Sequence, residues 1–357
     1  MMESLLGAVA VLAVVIFVHE LGHFLVAKWC DVEVITFSMG FGPTLFAKQV
    51  GETNYRLALI PFGGYVRMAG QDDSEDPPAG DPERGFSAKT IGQRAAIVAA
   101  GPAVNIVFAF FLFAGVFIVY GVPQVSGTSA VGYVFEDKPA ANAGLVEGDI
   151  IAAIDGKPVS RWEELVENVR GSGGRELALT VTDSEGVDRA VAIQPELMPE
   201  RDHLGEQIGE AWLIGIAPAT INVDVGLFQG LGMAGQRTWF FTSAIFQTLG
   251  RVFQGRISVR DLGGPIMIAQ EAGRQAAIGL ERLLLFMALI SVNLGVINIL
   301  PIPVLDGGHL MFFGIELVRG RPLSIRVREL ALQVGVFLLV ALMALVVYND
   351  IARNMSG

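Results

Sequence analysis

Four stretches of this chain are apolar for long enough to cross a bilayer: about Leu5–Val26, Ala95–Val119, Leu283–Val304 and Leu330–Val347. A helix rising about 1.5 Å per residue needs roughly 20 such residues to span the hydrocarbon, so each stretch predicts a membrane helix. A fifth region, Val225 to Phe253, mixes Leu227, Phe228, Trp239, Phe240, Phe241, Ile245 and Phe246 with Gln236, Arg237, Thr238, Gln247 and Arg251. It reads as one or two amphipathic helices on the outer membrane surface, with a fifth span as the alternative. After the first run, Phe37–Phe46 and Asn54–Met68 read as strands with glycine turns, carrying Gly40-Phe41-Gly42-Pro43 and Ile60-Pro61-Phe62-Gly63-Gly64. Gln71–Gly85 is acidic and rich in Pro and Gly, which predicts a mobile loop. Between the second and third runs, about Gly127 to Glu196 reads as a small α/β domain. There, Trp162–Val169 has helical spacing and Leu177–Val181 alternates as a strand.

Composition agrees with a mainly α membrane protein. The 357 residues are 52% hydrophobic and 17% charged, and mean hydropathy is +0.53. The net charge of -11 argues against a nucleic-acid partner. One cysteine, Cys30, excludes an internal disulfide and a cysteine metal cluster. The first run has no basic residue before it and no small-residue cleavage pattern after it, so it is expected to stay as a span. Basic residues fix the orientation. Lys28, Lys48, Arg56, Arg67, Arg84, Lys89 and Arg94 lie between spans one and two, and Arg319, Arg321, Arg326 and Arg328 between spans three and four. The positive-inside rule makes both loops cytoplasmic and puts both termini and the α/β domain outside. The expected division is a first membrane half over 1–122, the α/β domain over 123–200, a linker with interfacial helices over 201–281, and a second membrane half over 282–357.

The first span carries His19-Glu20-Leu21-Gly22-His23. Leu5 to Val18 before it is fourteen residues without a charge. On a helix, His19 and His23 share one face at i and i+4, and Glu20 lies beside them. That is the HExxH arrangement for two zinc ligands and a general base. So short a match arises by chance in soluble proteins, but hydrocarbon selects against unpaired ionisable groups, which favours chemistry here.

Zinc held by two histidines needs a third protein ligand and an open position for water. The end of the third run reads Asn298-Ile299-Leu300-Pro301-Ile302-Pro303-Val304-Leu305-Asp306-Gly307-Gly308-His309. The prolines break the helix before Asp306, and the glycines permit a sharp turn. With four spans, His19 lies about 21 Å from the outer face and about 10 Å from the inner one, and Asp306 is near the inner end of its span. Both sets then meet towards the cytoplasmic side, whereas a fifth span would separate them. Asp306 as a cap of the next helix is the competing reading. His309 is a rival ligand, but its place beyond the glycines favours an exposed or supporting role. Asn105, about 15 Å deep in span two, either bonds the substrate or ties helices together, and Asn293 and Asn298 carry the same two readings.

With Gly101-Pro102-Ala103-Val104-Asn105 in span two, these motifs resemble the site-2 protease family of intramembrane metalloproteases, in its bacterial form, over nearly the whole chain. The resemblance implies Zn2+ bound by His19, His23 and Asp306, with Glu20 as general base. It implies cleavage of single-span membrane proteins in or near the bilayer, such as an anti-sigma factor or a remnant signal peptide. It also implies that the strands after span one are membrane-associated and offer an edge, around Gly63 and Gly64, to an extended substrate; strand addition is a general peptide-binding mode. Asn105, Asn293 and Asn298 join these as candidate substrate-binding residues. The stretch Ala140-Ala141-Asn142-Ala143-Gly144-Leu145 through Gly148-Asp149-Ile150-Ile151 to Asp155-Gly156-Lys157-Pro158-Val159 resembles the core of a bacterial PDZ domain. Only one such domain is seen, where related proteins have two in tandem, and the sequence does not name its ligand. The expected location is the bacterial cytoplasmic (inner) membrane, with lipid as neighbour. A PDZ-bearing adaptor without activity is the alternative, disfavoured by four intact site residues. A metal transporter lacks repeated halves and a second ionisable path.

Overall fold

The computed structural model describes residues 2–71, 80–202, 206–256 and 264–356. Residues 72–79, within the loop expected over 71–85, lie outside the described set. Two compact units emerge: residues 1–116 with 231–357, and residues 117–230.

The first unit is built on helices α1 (Met2–Trp29) and α2 (Ile91–Tyr120), with the later helices described below. Between these two, β1 (Val34–Val50) and β2 (Thr53–Met68) form an antiparallel pair. The pairing is folded on itself. Thr36 to Met39 lies opposite Gly64 to Arg67 and also opposite Asn54 to Leu57. Gly40 and Gly42, at φ of 86° and 85°, supply the left-handed backbone this bend requires. No further strand pairs with this hairpin among the described residues, so Gly64–Met68 is left as an edge. Val32, Val34, Phe37, Val66 and Met68 pack with Ala27 and Ile97, fastening the hairpin to α1 and α2.

Helix α5 (Leu227–Phe253) is one continuous helix where one or two were expected. It falls among no candidate spans; among the described residues, four helices are long and apolar enough to cross a membrane, over Gly7–Trp29, Ile91–Tyr120, Leu280–Ile299 and Ile325–Ala352. Phe241 of α5 stacks on Phe113 of α2 at 5.8 Å. Helix α6 (Pro265–Ile278) was not foreseen as a packed element. It lies along α1 so closely that a Cβ on Gly7 would sit 3.2 Å from the Ala272 carbonyl. Its first amides are capped by the buried Asp350, which accepts from Gly264, Ile266 and Met267 N–H. Residues 201–281, expected as one linker, therefore divide. The part from 231 belongs to the membrane unit, and the part before it to the smaller unit.

Helix α7 (Leu280–Ile299) packs on α1 and α2 through Met287, Val11 and Val15, with Phe108 and Leu112 around them. It ends five residues before the expected Val304, because Pro301 and Pro303 cannot donate to its last turn. The next helix, α8 (Asp306–Arg319), follows and is closed by Gly320 at φ 70°. Helix α9 (Ile325–Ser356) is the fourth long apolar helix.

The smaller unit holds a four-stranded sheet ordered β6 (Lys157–Pro158), β5 (Ile150–Ile154), β7 (Leu177–Thr182), β8 (Asp188–Ile193). Helices α3 (Pro139–Asn142) and α4 (Trp162–Arg170) accompany it. Leu165 and Val169 of α4 bury against Ile151, Leu179 and Val181, the alternation read from the sequence. Three further two-stranded pairings extend the unit: β3 (Val122–Val125) with β12 (Thr220–Val223), β4 (Val131–Val134) with β11 (Ile216–Pro218), and β9 (Glu196–Arg201) with β10 (Gln207–Leu213).

Candidate metal centre

His19 and His23 lie one helical turn apart on α1, both nearly buried. The His23 Nδ1–H donates to the Ile97 carbonyl of α2 at 2.9 Å. That leaves Nε2 with its lone pair facing inward. The Nδ1 of His19 lies 3.3 Å from the side-chain amide of Asn105. The two ends of an amide are alike in shape. With its oxygen towards His19, Asn105 accepts the Nδ1–H, and that oxygen otherwise has no partner although it is buried. Asn105 is itself held where the Ser291 hydroxyl donates to its backbone carbonyl at 2.8 Å. Both imidazoles are thus oriented from behind, as metal ligands require.

Asp306 is the first residue of α8, and its side chain turns to the histidines rather than capping the helix. Its Oδ2 is 3.1 Å from His19 Nε2 and 3.5 Å from His23 Nε2, and the two Nε2 atoms are 3.2 Å apart. Three electron-pair donors this close repel unless a cation lies among them. Zinc bonds of about 2.0–2.1 Å give a tetrahedron with edges of about 3.3 Å. The three separations fit that figure, so the residues fit zinc. Among the described residues this is the one group of three or more His, Cys, Asp or Glu side chains able to hold a metal.

Glycines make the convergence possible. A Cβ on Gly101 would stand 2.3 Å from His23 Nε2, and one on Gly22 would stand 2.6 Å from the Ala100 carbonyl. Gly307 and Gly308, read from sequence as turn formers, are instead in the first turn of α8. Their added Cβ atoms would meet the Ile299 and Ile302 carbonyls at 2.1 and 2.3 Å. They are glycine because α8 starts pressed against the chain leaving α7.

A cavity of about 900 Å³ exposes His19, Glu20, His23 and Asp306 together. One wall is the β2 edge, Gly64 to Met68; another is the start of α9. Gly64 abuts Glu20, since a Cβ there would lie 3.0 Å from the Glu20 Cγ. Gly63, at φ 129°, faces the Phe41 ring, which stacks on Tyr65. Asn298 reaches the centre, its amide nitrogen 3.4 Å from His19 Nε2. Asn293 is half-buried on α7, away from that contact. His309 is exposed and lines the cavity without joining the ligand group. Sequence reasoning missed the Arg94–Glu316 ion pair at 2.8 Å, which ties α2 to α8. Arg94 also lies over the Phe313 ring at 5.0 Å.

The model of peptidase family M50 matches residues 7–342. The chain belongs to peptidase family M50. It is 35% identical over 355 residues to the "Putative zinc metalloprotease" of Rhizobium meliloti, covering 95% of this chain and 94% of that one. It is 37% identical over 361 residues to a protein of the same description from Mesorhizobium japonicum, covering 96% of each. The regulator of sigma-E protease RseP of Escherichia coli is 33% identical, with 98% of each chain covered. That alignment takes 456 positions against 357 residues here. A solved PDZ domain, from the SdrC-like protein of Listeria innocua, is 25% identical and covers 26% of this chain and 92% of its own, with a TM-score of 0.20. This M50 member is therefore a zinc-dependent protease, with four candidate membrane helices among the described residues.

Proposed function

We propose that this chain hydrolyses peptide bonds of single-span membrane proteins within or near the bilayer of the bacterial inner membrane. The reading rests on one observation: the metal group and Glu20 share a cavity, and His19, Glu20 and His23 ride on a helix apolar enough to cross the membrane. His19, His23 and Asp306 hold zinc. When bound, zinc acidifies water and polarises the scissile carbonyl. Glu20 takes the proton from the attacking water at its carboxylate and returns it to the leaving nitrogen. Asn298 donates its amide to the substrate backbone or to the developing oxyanion, and Asn293 offers a second amide along the same helix. Asn105 serves by orienting His19. The backbone at Gly63–Gly64 and beyond pairs with an extended substrate, which must leave its helix before its peptide bonds are accessible.

Both termini and the PDZ-like unit lie outside, with the centre towards the cytoplasm, a reading the distribution of lysines and arginines supports. Anti-sigma factors and remnant signal peptides are the substrates of fitting topology, and the single PDZ-like domain screens them or binds a peptide end. Zinc content and cleavage of a single-span reporter test the assignment. Glu20→Gln should keep zinc and lose cleavage; His19→Ala, His23→Ala and Asp306→Ala should lose both. Substantial cleavage by Glu20→Gln would refute the base. Full zinc occupancy in Asp306→Ala with loss in His309→Ala would reassign the third ligand.

A further inference from the structure

A second, smaller space of about 80 Å³ adjoins the main cavity at Glu20 and Gly64. Those two residues border both spaces. One wall is the α1 face one and two turns before Glu20, with Ala13, Ile16 and Phe17; the other is the hairpin, with Met39, Leu57 and Pro61. Residues 13, 16, 17 and 20 fall at i, i+3, i+4 and i+7, so one helix face carries both the pocket and the carboxylate. Phe17 packs edge-on against Phe37 at 5.9 Å.

We infer that this is a substrate subsite, taking one small aliphatic side chain next to the scissile bond. The inference rests on the protease reading and deepens it. Three observations carry it. First, the pocket is apolar apart from its rim. A lining of this kind favours apolar groups; an apolar cavity of about 150 Å³ holds a benzene ring. At about 80 Å³ the space suits alanine, valine or leucine and excludes phenylalanine and tryptophan. Second, a strand added to the Gly64–Met68 edge projects successive side chains to opposite faces. The residue beside Gly64 then turns one side chain to the pocket while its peptide bond stays beside Glu20. Third, the partition is a glycine. A Cβ on Gly64 would come within 2.9 Å of the Ser38 carbonyl and 3.0 Å of Glu20 Cγ, so no side chain stands between the carboxylate and the pocket mouth.

The test uses the full-length zinc enzyme in detergent with single-span reporters that differ at each position flanking the cut. At one flanking position the parent enzyme should cleave alanine, valine and leucine reporters at least about tenfold faster than phenylalanine or lysine ones. Ala13→Leu, which fills the pocket, should lower valine and leucine cleavage about tenfold relative to alanine. Leu57→Ala, which enlarges it from the half-exposed hairpin side, should raise phenylalanine cleavage, and it decides the matter if Ala13→Leu does not fold. The same order of side-chain preference in the parent and every folded variant would overturn the subsite. Failure of the protease reading looks different: no reporter would be cut, or Glu20→Gln would cut as well as the parent.

Discussion

Removing the Arg94 guanidinium should cost this enzyme zinc before it costs the fold. Arg94 opens α2, three residues before Ile97, which holds His23, and seven before Gly101, on which both histidines rest. Glu316 lies near the end of α8, the helix that begins with Asp306. Their pair closes at 2.8 and 3.3 Å, each side chain only 15% exposed. It is thus the tie between the helix that orients the histidines and the helix that delivers the carboxylate. Losing one partner of a fully buried pair costs about 3–5 kcal/mol, because the other charge is stranded. Residual exposure and the neighbouring cavity reduce that to about 2–3 kcal/mol for Arg94→Ala, with lost packing on Phe313 included. If that energy is spent in holding α8 against α2, zinc affinity falls about 30- to 150-fold. Chelator competition on the purified protein measures it. The exchange Arg94→Glu with Glu316→Arg should recover part of the loss, which a merely destabilised fold would not show. Arg94→Lys should fall between, since an ammonium cannot reproduce the two-pronged contact. Parent-like zinc affinity in both single alanine variants would refute the tie.

Gly101→Ala should abolish zinc binding, since its Cβ would stand 2.3 Å from His23 Nε2, whereas Gly92→Ala on the same helix meets nothing within 4 Å and should leave zinc content unchanged. The Arg84 guanidinium, with Lys28, holds the Glu52 carboxyl at about 2, below its ordinary 4.5. A depressed carboxyl stabilises above its ordinary value and loses that contribution as pH falls towards the folded one, so the difference in hydrogen exchange of the β1–β2 turn between parent and Glu52→Gln should shrink from about pH 6 to about pH 3. For topology, single cysteines at Ser172, Gln229 and Gly255 in a Cys30→Ala background should react with an impermeant maleimide from outside, and one at Arg319 should not. Protection at Gly255 with labelling at Arg319 would make 225–253 a span and refute the orientation.

The chemistry of this chain was legible because ionisable residues inside apolar runs need a reason. His19, Glu20 and His23 announce themselves by spacing, and Asp306 by the prolines that end the span before it. Long helices were legible for the same reason, since hydrocarbon length writes itself into the sequence as a run. What was hidden lacks such a local signature. The extent of helix α8 is one such feature, since Asp306 reads from the sequence both as a ligand and as a cap of the next helix. Helix α6 follows a glycine-rich stretch, and its role emerges only with Asp350, more than eighty residues later. Asn105 had two readings because depth alone cannot say which neighbour an amide faces. The structure sets it against His19.

The glycines carry the other half of the site. Gly22, Gly101, Gly307 and Gly308 bring no chemistry, and none has the left-handed backbone that usually marks a required glycine. Each is a place where two backbones, or a backbone and an imidazole, approach within a distance no Cβ permits. The separations of 3.1–3.5 Å among the candidate ligand atoms depend on those approaches. An alanine at one of them moves a helix by fractions of an ångström, and a metal site tolerates little more than about 0.2 Å in its bonds. The residues between the ligands in HELGH and beside the aspartate in LDGG are therefore under geometric constraint as strict as the ligands' chemical one. A motif that pairs candidate ligands with glycines records both demands at once: which atoms are offered to a metal, and how closely the helices must pack to bring them together.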